Sequence, residues 1–265
     1  MAEILVGTSG YSFDDWVGNF YPAGQRKGDM LSFYARIFNT VEVNSTYYRI
    51  PHPAVIEQMQ KKTPPGFVFI LKANKAMTHE SAPAQTVFAD FLEICRPLVR
   101  EGKFGGILAQ FPWSFKNTGQ NQEYLLSLRE KLLPHPLFVE FRNAEWIKDE
   151  VFHVLEKGRI GYCSVDEPGL KGLVPPIARN TTDIGYVRLH GRNAKNWWAS
   201  GGVSDRYDYL YSEDELKGWL SKIRDLARAT EKTYVFFNNC HAGQAAKNAQ
   251  LMKTLLNLDM ESRRQ

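Results

Sequence analysis

The sequence predicts an α/β fold, a single TIM-type (β/α)8 barrel with parallel strands, and three observations carry that expectation. Eight short apolar runs recur along the chain, and helical patterns fill most of the gaps between them. The length of 265 residues matches the roughly 250 that one such barrel occupies.

The runs are Ile4–Thr8, Thr40–Ser45, Phe67–Ala73, Gly105–Phe111, Leu137–Arg142, Gly161–Asp166, Ile184–His190 and Thr233–Asn239. Most are rich in β-branched or aromatic residues, as strands are. Leu31, Phe33, Tyr34, Ile37 and Phe38 form the first helical face. Pro53 stands where a first helical turn tolerates proline, ahead of Val55, Ile56 and Met59. Val87, Phe88, Phe91, Leu92 and Cys95 keep helical spacing up to Pro97, which is expected to kink or end that helix. Leu125, Leu128, Leu132 and Leu133 follow strand four, and Val151, Val154 and Leu155 follow strand five. Three prolines in Glu167–Asp183 predict a short or irregular sixth helix. Ser212 with Glu215 makes a capping-box pattern ahead of Leu216, Trp219 and Ile223. The last helix carries Ala242, Ala245, Ala246, Ala249, Met252 and Leu256 on one side, small enough to lie close to the barrel.

Strands alternating with helices imply parallel pairing through right-handed crossovers. A doubly wound open sheet competes, but such a sheet usually places a glycine-rich phosphate loop after its first strand. Here Gly7-Thr8-Ser9-Gly10 leads into a long aromatic loop instead. Without repeats or linkers, residues 1–265 read as one domain, and the long loop 191–212 suits a lid hinged at Gly201-Gly202.

Composition narrows the function classes. Hydrophobic residues at 43% and charged residues at 23% exclude a disordered chain. No apolar run approaches the ~18 residues of a membrane span, and Met1-Ala2-Glu3 passes directly into a strand. The expectation is a cytoplasmic protein with no membrane partner. Cys95, Cys163 and Cys240 make neither a disulfide framework nor a metal motif. A net charge of +4 accommodates an anionic small-molecule substrate without demanding nucleic acid, and nothing in it sets the oligomeric state.

Polar residues gather where the runs end. Alternation puts Glu42 with Asn44, Glu140 with Arg142, and Arg188 with His190 on shared faces, while Val43, Phe141 and Leu189 suit the outer face. Asp166, Lys72, Asn238 and Asn239 also close strands. Active sites of this fold sit at that end. Glu42, Glu140, Asp166 and His190 are therefore the candidate catalytic residues, with Ser9 and Ser45 as weak candidates for a nucleophile. Asn44, Lys72, Arg142, Arg188, Asn238 and Asn239 are candidate substrate-binding residues, joined by Tyr11, Trp198 and Tyr207 from an aromatic rim. An ion pair from Glu140 to Arg142 or Arg188 is the competing structural reading.

These residues also carry a family resemblance. Gly7-Thr8-Ser9-Gly10-Tyr11, Trp16-Val17-Gly18-Asn19-Phe20-Tyr21-Pro22 and Thr40-Val41-Glu42-Val43-Asn44-Ser45-Thr46-Tyr47-Tyr48 resemble the YecE-like proteins, the family called domain of unknown function 72. Phe67-Val68-Phe69-Ile70-Leu71-Lys72, Gln110-Phe111-Pro112, Val139-Glu140-Phe141-Arg142 with Trp146, Tyr186-Val187-Arg188-Leu189-His190-Gly191, Tyr207-Asp208-Tyr209-Leu210-Tyr211 and Phe237-Asn238-Asn239 extend the match over nearly the whole chain. The resemblance implies a TIM-type barrel in a family without an established activity. It also implies a distant similarity to the xylose isomerase and endonuclease IV type of barrel, and through it nucleic acid as a partner.

The chemistry of the set points to an enzyme. Arginines at strand ends hold phosphate or carboxylate, and the last helix, starting near His241-Ala242-Gly243, offers backbone donors to an anion. Crowded carboxylates beside His190 suit acid–base work of hydrolase or lyase type on a phosphorylated sugar or nucleotide-like substrate. No cofactor is expected. A single divalent metal at Glu140, Asp166, His190 and His241 is the weaker alternative, because their spacing has no specificity. A non-catalytic nucleic-acid or metabolite-binding barrel is the alternative function.

Overall fold

The structure, a computed structural model, describes residues 3–80, 83–198 and 203–262. Its strands are β1 (Glu3–Thr8), β2 (Thr40–Val43), β3 (Val68–Lys72), β4 (Phe104–Gln110), β5 (Leu137–Glu140), β6 (Gly161–Asp166), β7 (Ile184–Leu189) and β8 (Lys232–Phe237). The helices are α1 (Met30–Tyr34), α2 (Ser45–Tyr48), α3 (Pro53–Lys61), α4 (Lys75–His79), α5 (Gln85–Arg100), α6 (Gly119–Lys131), α7 (Asp149–Lys157), α8 (Val203–Arg206), α9 (Glu213–Ala229) and α10 (Gln244–Ser262). Every strand pairing is parallel, in the order β1-β8-β7-β6-β5-β4-β3-β2, which wraps the sheet into a nearly closed (β/α)8 barrel.

The seam between β1 and β2 closes by other means than a ladder. Ser9 bridges to Glu42, and the Gly10 N–H donates to the Glu42 carbonyl at 2.7 Å. Below that bridge, the Tyr34 hydroxyl from α1 accepts from the Thr8 N–H at 2.9 Å and donates to the Thr40 carbonyl at 3.1 Å. A phenol thus replaces one rung of backbone pairing. Gly7 permits the approach, because a Cβ there would lie 2.3 Å from the Thr40 carbonyl oxygen.

Outward-facing strand residues such as Val41, Leu71, Val139 and Val187 are buried under the helices. The lower interior is aromatic, with Phe138, Tyr186, Tyr234 and Phe236 in mutual contact. Above them the interior turns polar, so β7 and the residue after it read Tyr186, Arg188, His190 from the apolar layer to the mouth.

Local expectations meet mixed outcomes. Pro97 does not end its helix, since α5 runs on to Arg100. The proline lies in the final turn, and the carbonyl it leaves unbonded belongs to the exposed Glu93. No helix forms in 167–183, all of which is described. Ser212 and Glu215 make the expected capping box of α9. Ala242 lies outside the last helix, with a φ of 47°, and α10 starts at Gln244. The aromatic loop after β1 is mostly packing: Trp16 and Tyr21 are buried, and the Trp16 indole donates to the Cys240 carbonyl at 2.6 Å.

Candidate active site

Arg188 is the centre of the barrel mouth. Its side chain, 1% exposed, extends from β7 to β2 and β5, placing one terminal nitrogen 2.6 Å from Glu42 Oε1 and the other 2.5 Å from Glu140 Oε2. Glu42 accepts its second bond from the Tyr186 hydroxyl at 2.7 Å. Ser9 Oγ lies 3.2 Å from Arg188, so the weak nucleophile expected there is part of this floor. Glu140 also meets Arg142 Nε at 2.5 Å. Burial alone would raise the Glu140 pKa, but Arg188 and Arg142 hold it well below the usual carboxylate range. Glu140 is therefore a fixed anion, and proton donation from it is ruled out near neutrality. The structural ion pair foreseen for Glu140 is present with both arginines.

His190 completes the floor. Asn238 lies 3.0 Å from its Nδ1, and Glu140 Oε1 lies 3.2 Å from its Nε2. An Asn238 amide donating to Nδ1 puts the ring proton on Nε2, facing Glu140. Burial, reinforced by Arg142, pushes the His190 pKa down to about 3. That value disfavours the expected proton relay through His190, because the imidazole stays neutral; its Nε2, although 3.2 Å from Glu140, makes no hydrogen bond among the described residues.

Asp166 does not join the site. Side chains alternate along β6, and Cys163 faces inward, 3.8 Å from Glu140 Oε2, so Asp166 faces outward. There it accepts from the Trp219 indole at 2.7 Å, the Tyr211 hydroxyl at 2.7 Å and Arg192. The inward acid is Glu167, which meets Arg142 at 3.3 Å and accepts from the Val174 N–H at 2.9 Å. Burial pushes its pKa up to about 7. Asn239 likewise faces outward, against Asn248 and the Tyr209 carbonyl. The four residues considered for a metal do not converge, because Asp166 points away and His241 lies beside Asp208 instead. Among the described residues no group of metal-ligating side chains gathers elsewhere. One of the backbone donors expected for an anion near the last helix is occupied by the chain itself, the Ala242 N–H bonding Asp15 at 2.7 Å.

Lys72 stands apart from this network. It ends β3 partly exposed, donates to Gln110 Oε1 at 2.9 Å and lies 4.6 Å over the Tyr47 ring. Among the described residues no carboxylate approaches its ammonium within 4.0 Å. Burial first, and the positive charge of Arg188 second, pull its pKa down to about 7. His79 packs edge-on against Tyr47 at 5.2 Å and is held neutral, with a pKa of about 4. Asn44 Oδ1, just past the end of β2, is buried with no hydrogen-bond partner among the described residues.

The described parts of the loop after β7 lie over the mouth. Trp197 is buried, 5.7 Å from the Arg142 guanidinium, and the Tyr207 ring lies 6.2 Å from His190. Trp198 is 55% exposed and meets Trp113 edge-on at 6.2 Å. The hinge expected at Gly201-Gly202 lies outside the described residues. Tyr11 packs towards Tyr34, with ring centroids 6.2 Å apart.

Comparison with known proteins decides the family. A family profile described as "Protein of unknown function DUF72" matches residues 5–265. The chain belongs to the DUF72 family. This DUF72 protein is 29% identical over 273 residues to the UPF0759 protein YunF of Bacillus subtilis, covering 97% of this chain and 95% of YunF. A crystal structure of a DUF72 family protein from Thermotoga maritima is similar at 42% identity and a TM-score of 0.90, over 96% of this chain and 99% of that one. Another, from Enterococcus faecalis, is similar at 26% identity and a TM-score of 0.85, over 96% and 95%. No helix among the described residues is long and apolar enough to cross a membrane.

Proposed function

We propose that this DUF72 protein is an enzyme of hydrolase or lyase type, doing acid–base chemistry on a small anionic substrate at the barrel mouth. A phosphorylated sugar or a nucleotide-like molecule fits that description. The observation that carries the reading is Lys72, a strand-end amine aimed at the mouth with a neutral amide and an aromatic face for partners. Groups that transfer protons work best when they titrate near the working pH. Lys72 and Glu167 both do, whereas Glu140 and His190 are locked in one state. Glu42, Glu140, Arg142 and Arg188 act as a preorganised charged floor beneath them.

A screen of phosphorylated sugars and nucleotides, read by mass spectrometry, tests the proposal with the wild type beside Lys72→Gln. Turnover that falls by about 100-fold or more in the variant supports it. Turnover that survives the substitution overturns the role of Lys72.

The exposed Trp113–Trp198 pair, with the Lys116 ammonium 3.3 Å from the Trp113 ring centroid, favours a second reading as a nucleic-acid-binding barrel. Binding of single-stranded oligonucleotides that weakens steeply with salt supports it, and salt-insensitive or absent binding removes it.

A further inference from the structure

We propose that Lys72 acts as a nucleophile as well as a base, forming an imine with a small aldehyde or ketone that carries an anionic group. This rests on the reading of the mouth as an active site and names its substrate class.

An imine-forming lysine needs a free nitrogen lone pair, which an ion pair to a carboxylate denies it by holding the amine protonated. The other strand-end cations of the mouth are so held: Arg188 by Glu42 and Glu140, Arg142 by Glu140 and Glu167. Lys72 has instead the neutral Gln110 amide oxygen and the Tyr47 ring. Desolvation and neighbouring cations are the two ways a lysine is activated as a nucleophile, and both act on Lys72. Register brings the partners together, since Lys72 pairs with Leu108 on β4 and Gln110 with Glu140 on β5. The amine therefore borders the ion-pair floor without belonging to it.

The charge of the substrate is taken from the reading of the mouth as a site for an anionic molecule; at Nζ, Arg188 and Arg142 act against a further cation, and Glu140 and Glu42 act for one.

The step balances without any oxidant or reductant. The Nζ lone pair forms a C–N bond to the carbonyl carbon as the C=O π pair moves to oxygen, and one Nζ proton passes to that oxygen to give the neutral carbinolamine. The second Nζ proton then passes to the hydroxyl as the C–O bond breaks, so water leaves and the neutral imine remains. Hydrolysis reverses the sequence and returns the free amine.

Reductive trapping tests the proposal. The full chain is incubated with glycolaldehyde phosphate, or with neutral glycolaldehyde, and treated with borohydride, which delivers hydride to any imine. Adducts are then mapped by peptide mass spectrometry. The expected result is modification centred on Lys72, about tenfold or more faster than at other lysines. Its rate should be half-maximal near pH 7, with the phosphorylated probe preferred. Labelling spread evenly over surface lysines, or equal labelling of Lys72 by both probes, overturns the proposal. The two readings separate cleanly. Turnover lost in Lys72→Gln with no trappable adduct leaves the acid–base reading standing and removes this one. A Lys72 adduct with turnover indifferent to Lys72→Gln shows an imine-forming amine outside any acid–base cycle in the screened reactions.

Discussion

Glu140 accepts from Arg142 and Arg188 at 2.5 Å, each pair fully or nearly fully buried. Removing one partner of such a set leaves charge buried and uncompensated. Glu140→Gln is expected to cost about 3–5 kcal/mol, measured by urea unfolding at pH 7. Lys72 gives the opposite kind of prediction. Its folded pKa of about 7 lies below the ordinary lysine value of 10.5, so between those limits the unfolded chain holds more protons and stability rises with pH. Lys72→Met should therefore be more stable than the wild type at pH 7, and the gap should narrow towards pH 10. A gap that widens with pH would contradict the assignment. Alternation made Glu42, Glu140, Arg142, Arg188 and His190 readable as inward residues. A strand-end position alone does not place Asp166, since Trp219, Tyr211 and Arg192 satisfy that acid on the outer face. Counting inward from the small Cys163 would have selected Glu167. The protonation states were not legible, since they depend on partners from four strands.

At the scale of elements, strand and helix periods were legible because their repeats are local. The seam of the barrel was not, since its closure depends on a phenol reaching from α1 between β1 and β2. Tyr34→Phe removes a partner from the Thr8 N–H and from the Thr40 carbonyl. A loss of about 1–3 kcal/mol is expected, with faster hydrogen exchange at the Thr8 amide than at the β7–β8 amides. Unchanged exchange would show that the phenol contributes nothing to closure. Adjacent Asn238 and Asn239 illustrate the same limit from the other side. Sequence puts both at a strand end, while the pleat admits only Asn238 to the mouth.

Across the whole molecule, the ion-pair floor couples stability to acid. Two groups act in the same direction. His190 has a folded pKa of about 3 against the ordinary histidine value of 6.5, so its contribution is full above 6.5 and is lost as pH falls towards 3. Glu140, held well below the usual range, adds its own loss below the ordinary carboxylate pKa. Every tenfold difference in proton affinity between folded and unfolded chain corresponds to about 1.4 kcal/mol, so several kcal/mol disappear in that window. Glu167 works the other way: its pKa is raised to about 7, so its contribution is full below the ordinary glutamate value of 4.5 and is lost as pH rises through 7. His190→Asn should flatten the fall in thermal midpoint between pH 6.5 and 4, read by calorimetry. A fall as steep as in the wild type would remove His190 as a cause.

The seam closed by Tyr34 has one more consequence, for association between molecules. A barrel avoids exposed sheet edges only while it stays closed. Here the β1 and β2 edges face each other across a short bridge and a single hydroxyl. If that clasp opens, the sheet unrolls with two complementary edges bare, and the β1 edge of one copy matches the β2 edge of another. Partially unfolded chains would then pair strand to strand, making the clasp a safeguard against intermolecular sheet growth as well as a contributor to stability.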